Sequence, residues 1–144
     1  MVLALRQEQT EITKAMNCMN NDLKFTTERE IDFESGRLPT LSFEMWSEKT
    51  GIKHSYYEKP MHSQILTHKR SSQSEKSKYS ILVNELTRRF EVLDESIDLS
   101  EKVKIIDHFT KQLVNSGYDH RQSKDILISS LKGVAKKMEK RKLT

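Results

Sequence analysis

The stretch "LSFEMWSEKTGIKHSYYEKP", residues 41–60, constrains the fold more than any other part of the chain. Leu41, Phe43 and Met45 alternate with Ser42, Glu44 and Trp46, which is the two-residue period of a pleated strand. "SEKTG" is a short polar link containing Gly51, after which Ile52, His54 and Tyr56 resume the alternation on one face. Residues 40–58 therefore predict a β-hairpin. It ends at Pro60, then opens into "MHSQILTHKRSSQSEKSK", a basic, serine-rich run. That order suggests a surface built to touch something.

The flanks fill in around the hairpin. From about Leu5 to Leu23, the apolar positions Ile12, Met16, Met19 and Leu23 recur at helical spacing, and "NND" at 20–22 favours a helix end. "LKFTTERE" is rich in β-branched and aromatic residues and predicts a strand, broken by "ESGRLP". Three helices follow the hairpin. The first, about 77–93, aligns Tyr79, Leu82, Val83, Leu86 and Phe90. The second starts near Asp98 or Ser100, with Glu101 three residues after Asp98 in the manner of a capping box. It sets Val103, Ile106, Phe109 and Leu113 inward, and Gly117 in "NSG" suits its C-cap. The third, about 121–140, aligns Leu127, Leu131, Val134 and Met138. The expected class is α+β: an N-terminal helix, a small antiparallel sheet, then a three-helix unit.

Composition narrows the function. Hydrophobic residues make up 35% of the 144, enough for a modest core, and charged residues 32%. The net charge of +4 arises from 25 bases and 21 acids, and the surplus sits late, in "LKGVAKKMEKRKLT". A single cysteine, Cys18, excludes an internal disulfide and points to a reducing, intracellular compartment. No run reaches membrane-spanning length, and "MVLAL" is too short for a secretory core, so no membrane association is expected. His62 and His68 lack helical i, i+4 spacing and a nearby cysteine, and His54, His108 and His120 are isolated. Cys18 has no neighbouring base, and neither a glycine-rich phosphate loop nor a nucleophile elbow occurs. No self-contained enzyme and no cofactor are expected.

The segment order resembles a retroelement reverse transcriptase of the non-LTR or Penelope-like style, over its last palm strands and thumb. "FTTE" at 25–28, "LPTLSF" at 38–43 and "YEKPM" at 57–61 stand where that family shows stretches like "FTVE", "LPFLD" and "YRKPT". The likeness spans roughly residues 10–135. Glu58 replaces a usual basic residue, and Met61 a threonine. The family's "[YF]xDD" turn holds two Mg²⁺ ions for phosphoryl transfer, and no Asp-Asp pair occurs in this chain. The resemblance thus implies a non-catalytic part, with magnesium belonging to a catalytic palm upstream.

On that resemblance the chain divides into a palm end at 1–60, a basic linker at 61–76 and a thumb at 77–144. Its implied partner is a primer–template duplex of RNA and DNA, together with the missing upstream polymerase segment. Tyr56, Tyr57, Lys59 and Pro60 would form the grip hairpin. The other contact candidates are Lys69, Arg70, Lys76, Lys78, Arg88, Arg89, Lys136, Lys137 and Arg141, acting through phosphates. Each has a plainer reading: a strand end with one tyrosine buried, a solvated serine-rich loop, an exposed helix face, or bases favoured in a last helical turn. A small intracellular helical module that docks a protein partner is the alternative function. A translated fragment without a selected role is a third reading.

Overall fold

The computed structural model describes residues 6–20 and 22–142, with side chains for 9–20 and 22–140. The "MVLAL" opening, a helix start at Leu5, Asn21 of the expected helix end and the Arg141 side chain lie outside these. The class is α+β, with four helices and a small three-stranded antiparallel sheet. The chain forms two compact units, Met1–Leu38 and Pro39–Thr144.

In the first unit, α1 (Arg6–Met19) is followed by an extended segment and a short 3-10 turn at Glu30–Asp32. The strand expected at "LKFTTERE" does not form. Its backbone groups pair instead with side chains of α1. The Asn17 amide donates through Nδ2 to the Phe25 carbonyl at 3.1 Å and accepts the Phe25 N–H through Oδ1 at 2.6 Å. A side-chain amide carries the same donor and acceptor as a peptide unit, so it can take the place of a neighbouring strand at one residue. The Thr13 and Thr27 hydroxyls meet alongside.

In the second unit the sheet runs in the order β1 (Leu38–Thr40), β2 (Phe43–Glu48) and β3 (Gly51–Tyr56). β2 and β3 pair antiparallel from Phe43–Tyr56 to Glu48–Gly51, so the expected hairpin closes over Lys49 and Thr50. Both loop residues keep negative φ, and Gly51 takes φ +134°, a region costly for any residue with a Cβ. Leu41 was expected to begin β2. It sits instead in the β1–β2 turn at φ +51°, and its side chain is exposed.

Three helices follow and pack on one another: α2 (Glu75–Glu91), α3 (Leu99–Asn115) and α4 (His120–Lys142), with β3 tied to α2 by Arg89 over Tyr56 and to α3 by the Ser55 hydroxyl donating to Glu101. Ser74 caps α2 by accepting the Ser77 N–H, and Asp98 caps α3 by accepting the Leu99 N–H at 2.8 Å. Gly117 ends α3 at φ +88°, as its position predicts. Leu82, Leu86, Ile105, Phe109, Leu113, Tyr118 and Ile126 make one core, with Tyr56 and Leu66 packed against it. Full burial of side chains this size stabilises by about 2 kcal/mol each.

Two expected stripes are out of phase. Val103 is exposed and Ile105 is buried in its place, because "VKII" offers apolar residues to two adjacent helical faces. On α4, Ile126 is buried while Leu131 and Met138 remain partly exposed. No helix among the described residues is long and apolar enough to cross a membrane.

Candidate nucleic-acid interface

The end of β3 is held by ion pairs on both sides. Tyr56 is half-buried, with the Arg89 guanidinium 4.8 Å from its ring centroid. Burial pushes the Tyr56 hydroxyl up to about 12, with the Glu58 and Glu85 charges adding to the rise and Arg89 opposing it. Tyr57 donates its N–H to the Ser42 carbonyl at 3.2 Å.

Glu58, which departs from the family pattern, is a junction. Its carboxylate accepts from Gln112 Nε2 at 2.8 Å, contacts His62 Nδ1 at 2.9 Å and meets His108 Nε2. A basic residue at this position would face the side-chain amide donors of Gln112 with no acceptor to offer. Lys59 and Pro60 then project into solvent. The His62 N–H returns to the Lys59 carbonyl at 2.9 Å, which places Pro60 at the second position of a β-turn, where its fixed φ fits. Pro60 therefore sets the turn, while β3 itself ends four residues earlier, at Tyr56, rather than at the proline as expected.

The basic run after it is not a loose linker. The Lys69 N–H donates to the Ser116 carbonyl at 2.9 Å and the Leu66 N–H to Ser116 Oγ at 2.8 Å. The Tyr118 hydroxyl donates to the Thr67 carbonyl at 2.9 Å. These bonds strap residues 66–69 across the α3–α4 corner. Lys69 Nζ donates to Gln122 Oε1 at 2.8 Å, leaving Arg70 and Lys76 exposed.

Two contact candidates are corrected by burial. Lys78 is 3% exposed, with Nζ donating to the Lys69 carbonyl at 2.6 Å and lying 2.5 Å from Glu75 Oε1. Arg89 is 1% exposed, lies over the Tyr56 and Phe109 rings, and donates from Nε to Glu85 Oε1 at 3.0 Å. Both side chains are covered by their neighbours, Lys78 beneath the strap at the Lys69 carbonyl and Arg89 between the Tyr56 and Phe109 rings. Arg88 does face out, and donates to Glu85 through two nitrogens, at 2.9 and 3.1 Å. Burial works to raise the Glu85 carboxyl, but the hydrogen bonds and charges of Arg88 and Arg89 outweigh it and hold it below the usual range.

Lys136 and Lys137 are exposed on α4, Lys137 against Glu91 Oε1 at 2.5 Å. Around them lies a face the sequence reading missed. With Ser123, Ile126 and Ser130 buried, helical geometry sets Arg121, Lys124, Lys132 and Lys136 on the outer, exposed side, interrupted only by Asp125 and Glu139 among charged residues, while Lys140 comes round toward the Ile126 side. The phase of α4 around Ile126 was the signal that could have found it.

Among the described residues, no group of three or more His, Cys, Asp or Glu side chains is placed to hold a metal ion. The chain finds no match among protein-family models, curated proteins or solved structures.

Proposed function

We propose that the chain is the palm-end and thumb portion of a reverse-transcriptase-like polymerase, gripping primer–template duplex through its phosphates and carrying no polymerase chemistry of its own. The observation that supports this reading is the basic outer face of α4. From Arg121 to Lys136 it extends about 22 Å at 1.5 Å per residue, enough to follow several phosphates of a duplex. Arg70 and Lys76 add exposed cations outside α4.

Contacts of this kind position a duplex without reading its sequence, and their strength comes from counterion release. The test is fluorescence anisotropy of a recessed RNA–DNA duplex titrated with the chain over a range of salt. Affinity that falls steeply with salt and is indifferent to sequence supports the grip. Absence of binding at low salt, or binding unmoved by salt, overturns it.

A further inference from the structure

A cleft of about 600 Å³ opens where the end of β3 and the following turn meet α2. Its size falls within the range of ligand and side-chain pockets. Large apolar side chains gather around it and face water: Leu41 at 85% exposed, Met61 at 96%, Ile65 at 50% and Ile81 at 42%. Single exposed apolar residues are ordinary, but a group of them on one concavity is a recognition feature.

Beneath this aliphatic rim the charge is unevenly matched. Glu85 alone serves both Arg88 and Arg89, and Arg89 Nη1 is buried with no hydrogen-bond partner. The other carboxylate on the cleft, Glu58, is already engaged by His62, His108 and Gln112. Lys59 adds an exposed ammonium. The cleft therefore combines apolar walls with a surplus of cation.

We propose that it docks a peptide segment of a partner protein in which a carboxylate side chain lies between aliphatic ones. The carboxylate sits on the exposed Arg88 guanidinium, with the Arg89 charge behind it. The aliphatic neighbours cover Met61, Ile65 and Ile81. A phosphate backbone brings nothing apolar to cover Met61, Ile65 and Ile81, and of the two rings on the lining, Tyr56 and Tyr57, the first is already faced by the Arg89 guanidinium at 4.8 Å. A purely aliphatic ligand leaves the cations unmatched. This contact is separate from the duplex grip on α4.

The experiment is a ¹H–¹⁵N correlation titration of the labelled full chain with acetyl-Leu-Glu-Leu-amide, against acetyl-Leu-Lys-Leu-amide as control, both to millimolar concentration. Saturable shifts at the Ser42, Tyr57, Met61 and Ile81 amides with the glutamyl peptide alone are the expected result, lost in Met61→Glu and Ile81→Asp. Both sites are exposed, and thermal melts check that the variants stay folded. Equal shifts with both peptides, or none with either, overturn the proposal. So does displacement of the peptide by an RNA–DNA duplex, which assigns the cleft to nucleic acid, or a dimer in sedimentation equilibrium that Ile81→Asp dissolves, which assigns it to a second copy. Peptide binding without duplex binding leaves this proposal standing and removes the grip.

Discussion

Arg89 donates from Nε to Glu85 Oε1 at 3.0 Å, one helical turn away on α2, with only 1% of the arginine exposed. A cation this deep depends on its carboxylate. Glu85→Gln removes the compensating charge and is expected to destabilise by about 3 kcal/mol, the usual scale for breaking a buried pair from one side. Arg89→Met with Glu85→Gln should cost less than Glu85→Gln alone, because no buried charge is then left unmatched. Urea unfolding of the set checks it. Equal stability of Glu85→Gln and the natural chain would show that the aromatic faces of Tyr56 and Phe109 suffice.

Asp94 sets part of the acid limit. Its carboxyl is held down at about 2 from the ordinary 3.8, by the Ser96 hydroxyl and N–H first and then by Lys53, whose Nζ lies 3.3 Å away. A folded-state value below the unfolded one means that the unfolded chain binds more protons in between. The contribution is present above the ordinary 3.8 and lost as pH falls toward about 2. Asp94→Asn should therefore flatten the stability–pH curve in that window and leave its slope near neutrality unchanged. Denaturant midpoints measured through the window report it, and an unchanged acid slope would refute the assignment.

Glu58 anchors the end of β3 to α3. Glu58→Ala takes the 2.8 Å acceptor from the buried Gln112 amide, leaving it the longer 3.4 Å bond to Gln64 Oε1, and should cost about 1 kcal/mol, the scale of one lost hydrogen bond. Glu58→Lys, which restores the basic residue usual in the resembled family, should cost more, because it adds a cation to that site. If Glu58→Lys instead stabilises the chain, the junction is not what holds the hairpin down.

How much of this was legible in the sequence differs from element to element. The hairpin could be read because two β-prone runs flank a short polar link with a glycine, but not its inward face: Ile52 is exposed and Ser55, on the other side of β3, is buried against Glu101 of α3. Asp98 and Gly117 marked the ends of α3 because capping is local chemistry. The strand at residues 23–30 was misread because propensity cannot tell that the Asn17 side chain will take the hydrogen bonds of Phe25. The inward turn of Lys78 and Arg89 was hidden for a similar reason. Their partners, the Lys69 carbonyl and the Tyr56 and Phe109 rings, reach them only through the tertiary fold. Glu58 stood out as a departure, but its link to His108 and Gln112 spans fifty residues or more of chain.

The outer face of α4 gives the last test. Lys132 and Lys136 are exposed and lie four residues apart, away from the buried Ile126 side of the helix. If duplex binding runs through phosphates, each lysine removed should lower the magnitude of the salt slope by about 1 and weaken affinity alike for every duplex sequence. Lys132→Gln with Lys136→Gln should then reduce the slope by about 2, while Lys78→Gln, at a buried site, should leave the slope unchanged whatever it does to stability. Anisotropy titrations at several salt concentrations separate these outcomes. A slope insensitive to the α4 lysines but reduced by Arg70→Gln or Lys59→Gln would move the grip from the helix to the proline turn and strap. A slope unmoved by all of them would mean that phosphate contact is not how this surface works.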